Sequence, residues 1–319
     1  MAIKLGIISD PISGFNIKKD TGFAMMLAAQ ERGYEVYYME MNDLFLLQGR
    51  AMATAAKATV YNNVEHWYDL APKQEMALDE LDVILMRKDP PFDTEYIYAT
   101  YILERAEDAG VLVVNKPQSL RDANEKLFTA WFSEHTPETL VTRSQAQIRA
   151  FLAKHQDIIL KPLDGMGGAS IFRVRADDPN IGVICETLTE HGSRFAMAQT
   201  YIPAIKEGDK RVLVVDGEVI PYCLTRIPQN GETRGNLAAG GRGEARPISD
   251  SDRRIAEAVA PTLKAKGLLF VGLDIIGDRL TEINVTAPTC VKEIEAAYDI
   301  SIMDKFYAAI EAKLSHTDK

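Results

Sequence analysis

The sequence predicts an α/β protein of two or three domains, and three observations predict it. The chain opens on a β-α-β pattern, a lysine-tipped strand near its middle runs into a Gly-rich turn, and a hairpin with acids on one face stands near its end. At 319 residues the chain is long enough for two or three proper cores. Its 46% hydrophobic content and formal charge of -10 are ordinary for a globular chain. An acidic chain without a Lys/Arg block argues against nucleic acid or a membrane surface as partner. Cys185, Cys223 and Cys290 are odd in number and widely spaced, so neither a disulfide framework nor a zinc site is indicated. There is no signal-length or membrane-spanning apolar run. The expectation is a cytoplasmic protein.

In chain order, Lys4–Ser9 reads as a buried strand, Asp20–Arg32 as a helix capped by Asp20 or Thr21 and stopped at Gly33, and Tyr34–Met39 as a second strand. The turn Ser9–Gly14 lacks G-x-G-x-x-G, so a dinucleotide fingerprint is absent. Lys18 and Lys19 precede the helix, where a cation and free N–H groups would together suit an anion, or would simply be solvated. Leu81–Met86 is a strand that delivers Arg87 at its C-terminal end, where ligands of open α/β sheets gather. Pro90 and Pro91 stiffen this turn, and the guanidinium is available for a carboxylate or for Asp89 or Asp93. Glu95–Ala109 is a helix and Val111–Val114 a returning strand, with a domain boundary shortly after Pro117.

Asp122–Phe132 reads as a helix carrying Lys126. Ile158–Lys161 is a strand, and Ser170–Val174 returns from the turn that holds Gly165, Gly167 and Gly168. Glycines there let backbone N–H groups approach an anion that a Cβ would obstruct. The lysine precedes the glycines, so this is no P-loop; it reads as a hairpin lid with Lys161 reaching phosphates from beneath and Lys126 nearby. Phe195–Pro203 reads as a strand entering an interlobe connection able to offer backbone groups to an adenine, with Asp209 downstream for ribose hydroxyls. Arg211–Val215 and Glu218–Leu224 are strands joined at Asp216-Gly217. Ile227–Arg242 has no helical or strand period and reads as a lid loop, with Arg234 and Arg242 supplying positive charge. Ser251–Lys266 is an amphipathic helix with core positions near Ile255, Val259 and Leu263, and Ile302–Leu314 is the closing helix.

The hairpin is Val271–Ile276 and Leu280–Val285. A three-residue loop, Gly277-Asp278-Arg279, pairs Ile276 with Leu280 and sets Asp274 opposite Glu282. Period two then puts Asp274, Glu282 and Asn284 on one face, and Leu273, Ile275, Ile283 and Val285 on the other. Facing carboxylates need something positive between them, and an all-oxygen set suits Mg2+ carrying substrate phosphates. The alternative is a half-buried hairpin whose polar face meets water.

These parts together resemble the ATP-grasp superfamily. NIKKDTGFAM, LMRKDPPFDTEYIYATYILERAE, NKPQSLRDANEKLF, ILKPLDGMGGASIFRV, ETRGNLAAGGRGE and FVGLDIIGDRLTEINVTAPT resemble the bacterial glutathione synthetases along nearly the whole chain. The resemblance implies an ATP-grasp fold with an N-terminal open α/β domain at 1–121, a small lobe with the Gly-rich lid at 122–202, and a C-terminal lobe with the hairpin at 203–319. It implies ATP-dependent joining of γ-glutamylcysteine to glycine through an acyl phosphate. Lys126, Lys161, Gly165, Gly167, Gly168 and Asn284 would then serve the ATP phosphates. The backbone of Gln199, Tyr201 and Ile202 would hold adenine, and Asp209 the ribose. Asp274, Glu282 and Asn284 would hold Mg2+, with Mn2+ as an alternative. Arg211 and Arg226 would stabilise the acyl phosphate and oxyanion, and Arg234 with Gly240-Gly241 would close over them. Lys18, Arg87, Arg226, Asn284 and Thr286 are candidates around the dipeptide and glycine carboxylates, and a homotetramer is implied. The competing readings are another ligase of this fold, such as a D-alanine–D-alanine ligase type, and a nucleotide-binding regulatory protein without turnover.

Overall fold

The structure, a computed structural model, describes residues 2–229, 235 and 240–317. Among these residues the strands form three sheets. The first contains β1 (Lys4–Ile8), β2 (Glu35–Met39), β3 (Leu44–Leu47), β4 (Arg50–Val60), β5 (Tyr68–Leu70), β6 (Gln74–Ala77), β7 (Val83–Met86) and β8 (Leu112–Val114), in the order β3-β4-β2-β1-β7-β8, with β5 and β6 both on β4. Its centre, β2-β1-β7-β8, is parallel, and the expected β-α-β opening is its first crossover. Buried apolar runs such as Leu5–Ile8 and Val83–Met86 suit strands covered on both faces. The crossover helix Thr21–Glu31 is capped by Asp20, whose carboxylate accepts the Phe23 N–H at 2.7 Å. β3 to β6 extend this sheet antiparallel beyond β2 through β4, an extension not anticipated from the sequence.

The second sheet holds β9 (Thr139–Thr142), β10 (Asp157–Pro162), β11 (Phe172–Arg175) and β12 (Ala196–Thr200), in the order β11-β10-β12-β9. Helices Gln145–His155 and Ile181–Thr189 close a core of its own around Ile158, Leu160 and Ala198. The third holds β13 (Asp209–Val215), β14 (Glu218–Ile227), β15 (Arg242–Pro247), β16 (Phe270–Ile276) and β17 (Arg279–Asn284), in the order β15-β14-β13-β16-β17. Its backing helix, Asp250–Ala265, buries Ile255, Val259 and Leu263 as expected. The first and third sheets share their apolar cores, whereas the second is separate. Asn115 rivets the first sheet to the third: its amide nitrogen donates to the Phe270 and Val285 carbonyls at 2.9 and 2.7 Å, and its oxygen accepts the Phe270 N–H.

Two local expectations need correction. Asp122–Phe132 is not one helix: an α-helix ends at Asp122, and a 3-10 segment runs Leu127–His135 with a kink at Phe132. The Asn124 side chain accepts the Lys126 and Leu127 N–H groups, and this local bond competes with helix continuation. The β16-β17 connection is a two-residue turn, not a three-residue loop. Ile276 pairs with Arg279 and Ile275 with Leu280, around Gly277 with φ 60°. A bulge at Thr281 then restores Asp274 opposite Glu282. The face assignment survives because the extra residue shifts the alternation back by one.

Candidate functional site

The centre of the site is set by strand register in the third sheet. Arg211 on β13 stands across from Asp274 on β16, and Arg226 on β14 across from Asp209 on β13. All four are buried. Arg211 grips Asp274 with two bonds, at 2.5 and 3.1 Å, while Arg226 reaches the second Asp274 oxygen at 2.8 Å and also pairs with Asp209. Burial alone would raise the Asp274 pKa, yet the two guanidiniums hold it well below the usual carboxylate range. Burial would likewise lower Arg226, and Asp209 and Asp274 outweigh it. Asp209 is the exception: desolvation, helped by the charges of Asp274 and Glu282, overcomes Arg226 and pushes its carboxyl up to about 7. One Asp209 oxygen and the Arg226 Nε are buried without a partner among the described residues.

Beside this cluster stands Glu282, flanked by Lys126 at 3.6 Å and Lys161 at 3.5 Å. Burial would raise Glu282, but the two ammonium groups keep it lowered, and Lys161 itself is lowered by burial. The Thr281 bulge matters here, because a carbonyl released from the ladder accepts from Lys161 Nζ at 3.3 Å. Lys126 Nζ donates to the Gly165 carbonyl at 2.6 Å, so it ties the acid hairpin to the Gly-rich turn. In that turn Gly167 and Gly168 have φ of 62° and 81°, a region that disfavours side chains.

Two cavities adjoin the arginine–aspartate cluster: Asp274 lines one, and Arg211 and Arg226, which hold it, line the other. One, of about 670 Å³, is lined by Lys161, Gln199, Tyr201, Ile202, Asp209, Asp274 and Glu282. Asp209 and the interlobe residues Tyr201 and Ile202, the expected ribose and adenine candidates, line one cleft. Gln199 departs from the expectation: its side chain is buried and donates to Thr139 at 3.1 Å, and its backbone lies inside β12 between Ile159 of β10 and Thr139 of β9, within the ladder. Gly235 also lines this cleft; a Cβ there would lie 2.4 Å from the Arg226 carbonyl, so only glycine fits. The second cavity, of about 750 Å³, is lined by Arg211, Arg226, Asn284, Thr286, Gly167 and Asp89. Arg234 and most of the expected lid loop lie outside the described residues.

The described residues hold no cluster of three or more His, Cys, Asp or Glu suited to a metal ion. The expected metal set of two carboxylates and an amide is nevertheless together on one face. Glu282 is partly exposed, and Asn284 donates its amide nitrogen to the Gly272 carbonyl at 3.2 Å, which leaves its oxygen as an acceptor. Asp274 differs from a free ligand, because both its oxygens already accept from guanidiniums.

The N-terminal candidates separate. Arg87 is buried and donates to the Pro288 carbonyl at 2.8 Å, beside a cavity that also meets Asp10, Asp20, Asp89 and Thr289. Among the described residues no ion pair joins it to Asp89 or Asp93; Asp93 instead caps the helix Thr94–Asp108. Lys18 is exposed and lines none of these cavities, and the helix terminus beside it is already served by the Asp20 carboxylate. Thr286 spends both its N–H and its hydroxyl on Glu125, at 3.0 and 2.8 Å. Glu125 was not singled out from the sequence, where its only signal is adjacency to Lys126.

Comparison with known proteins bears on this geometry directly. The family model described as prokaryotic glutathione synthetase, N-terminal domain, matches residues 3–121, and the prokaryotic glutathione synthetase ATP-grasp domain matches 125–299. The chain belongs to the prokaryotic glutathione synthetase family. Within this family, the glutathione synthetase of Citrobacter rodentium is 71% identical and that of Escherichia coli K12 70% identical, each over 98% of this chain and 99% of the relative. Solved structures show the ATP-grasp fold that the family shares. A D-cycloserine synthetase matches with TM-score 0.67 and 14% identity over 98% of this chain and 99% of its own. A D-alanyl-alanine synthetase A from Vibrio cholerae matches with TM-score 0.60 and 11% identity over 99% of each. An ATP-grasp ligase complexed with a minimal precursor, Mg and ADP matches with TM-score 0.61 and 19% identity over 98% of each.

Proposed function

We propose that this chain joins γ-L-glutamyl-L-cysteine to glycine at the expense of ATP, releasing glutathione, ADP and phosphate, the second step of glutathione biosynthesis. The observation that carries the reading is adjacency: Asp274 and Glu282 line a cleft with a lysine and a ribose-type carboxylate, and Arg211 and Arg226, which grip Asp274, line the neighbouring cavity. The dipeptide's cysteinyl carboxylate attacks the ATP γ-phosphate where the two cavities adjoin, giving an acyl phosphate and ADP. The glycine amine then attacks the acyl carbon, and phosphate leaves. The first step brings a carboxylate to a polyphosphate, negative charge to negative charge, and the second develops an oxyanion and a leaving phosphate, so catalysis is mainly positioning and electrostatics.

Lys126 and Lys161 hold the phosphates, and the Gly-rich turn covers them. Asp209 accepts from the ribose hydroxyls, and the backbone at Tyr201 and Ile202, past the end of β12, meets adenine. Arg211 and Arg226, locked against Asp274, present fixed positive charge to the acyl phosphate and oxyanion at no cost in reorganisation. Glu282 and the Asn284 oxygen, backed by Asp274, would hold a Mg2+ ion, with Mn2+ as a substitute. When bound, the ion would screen the γ-phosphate charge and orient it for in-line attack. The Mg and ADP bound by the ATP-grasp neighbour support this reading. Arg87 is the candidate for a dipeptide carboxylate, and Arg234 with the 227–242 segment for closure against water. We assign the lobes to 1–121, 122–202 and 203–319, with a cytoplasmic homotetramer as the working form. No described helix is long and apolar enough to cross a membrane.

The test is phosphate release from ATP and Mg2+ with γ-glutamylcysteine, with and without glycine, and with D-alanine as rival. Release that needs both substrates and yields a tripeptide of the expected mass is the expected outcome. Release with D-alanine alone, or with neither pair, would overturn the substrate assignment.

A further inference from the structure

Residues 124–126 form a three-point rivet between the lid and the end of the acid hairpin. Asn124 and Lys126 send their side chains to the same place, the base of the Gly-rich turn, where they donate to the Leu163 and Gly165 carbonyls at 3.1 and 2.6 Å. Glu125, between them, reaches the opposite way. Its Oε1 accepts three hydrogen bonds, from Val285 N at 2.9 Å, Thr286 N at 3.0 Å and Thr286 Oγ1 at 2.8 Å. Its own carbonyl accepts the Ile283 N–H at 2.8 Å, so one residue binds the backbone just before and just after Asn284. Those N–H groups lie where the strand leaves the sheet, and without Glu125 they lose the acceptor that the ladder no longer supplies. A carboxylate oxygen accepting backbone N–H groups makes strong bonds, and three of them fix a segment closely. Glu125 and Thr286 both line the arginine-walled cavity.

We propose that Glu125 is a positioning residue for the amine-transfer half of the reaction, acting through Asn284–Thr286 while Lys126 beside it serves the phosphates. The inference rests on the ligase reading above. Glu125 sets the wall against which the glycine nucleophile is held, as a hydrogen-bond acceptor at a fixed reach whose charge does not act on the reacting groups. Loss of the anchor therefore weakens use of glycine and lets water reach the acyl phosphate, while ATP binding in the neighbouring cleft persists.

The experiment uses the full chain and three variants, Glu125→Ala, Glu125→Gln and Glu125→Asp. Apparent KM for glycine and for ATP, kcat, the ratio of phosphate released to tripeptide formed, and the thermal midpoint are recorded for each. Glu125→Ala should raise the glycine KM about 10-fold or more and move the ATP KM less than about 3-fold, with phosphate release exceeding peptide formation. Glu125→Gln keeps an oxygen at the same reach and should recover most of this loss. Glu125→Asp keeps the charge, withdraws it by one methylene, and should not. An active Asp variant beside an impaired Gln variant would assign a charge role and overturn the proposal. Parallel change in both KM values and the midpoint, or no change in any variant, would also overturn it. If Glu125→Ala fails to fold, the Gln and Asp pair still decides. A wild-type chain that forms no tripeptide from glycine instead rejects the ligase reading, which separates the two failures.

Discussion

The two carboxylates of the β16-β17 hairpin face each other across one rung, yet their surroundings differ in kind. Asp274 is buried and held by two guanidiniums at 2.5 to 3.1 Å, whereas Glu282 is more exposed and meets two ammonium groups only at 3.5 and 3.6 Å. Arginine's rigid fork suits a permanent, bidentate grip, and lysine's flexible point charge suits contacts that are exchanged. The comparison teaches that one rung of a sheet holds a preorganised electrostatic plate at one residue and a releasable set of charges at the next. Asp274 serves the architecture of the site, and Glu282 serves its traffic.

The sharpest way to break this contrast is Asp274→Asn. Removing the charge leaves two buried guanidiniums sharing what remains, so unfolding free energy should fall by about 3–5 kcal/mol and activity should be lost with it. Urea denaturation of the free chain checks the first part, and a stability within error of wild type would erase the distinction. Glu282→Gln should do the reverse: a turnover loss of about 100-fold or more at ordinary Mg2+, with a smaller stability loss than Asp274→Asn. Lys161→Ala tests the releasable side from the other partner. It should raise the apparent ATP KM about 10-fold, since one charge-assisted phosphate contact is lost; unchanged ATP dependence would remove Lys161 from the phosphate site.

The smallest expected effect concerns pH. Burial pushes the Asp209 carboxyl up to about 7, so the folded chain keeps a proton that the unfolded chain has already released. Its contribution to stability is therefore greatest below the unfolded pKa and falls as pH rises from about 4 to about 7. Asp274 has the opposite sign, lending stability that is lost only as pH falls below the ordinary carboxylate range. Stability of Asp209→Asn measured from pH 4 to 8 should fall less steeply than that of wild type, the remaining decline coming from other raised carboxyls such as Asp89. An identical slope would place the titrating group elsewhere.

Much of the site was legible in the chain because its signals are short-ranged. Strand alternation alone put Asp274, Glu282 and Asn284 on one face, and the clustering of glycines after Lys161 marked the turn above them. The start of the first helix read correctly to within one residue, with Asp20 rather than Thr21 as the cap. What failed also has a local reason: Asn124 interrupts an apolar run that otherwise reads as a helix through Phe132. A two-residue turn with a bulge and a three-residue loop likewise give the same facing pair, so the pattern has no means to choose between them.

The sequence by itself determined the fold class, the acid face of the hairpin and the lysine–glycine pairing, since each depends on neighbours within a few residues. Tertiary structure alone decided which charge meets which. Arg211 finds Asp274 across 63 positions, Arg87 finds the Pro288 carbonyl across 201, and Glu125 finds Thr286 across 161. No periodicity extends that far. A side chain's reach is set by its type, but its partner is set by sheet register and by how two cores pack, and those are properties of the whole chain.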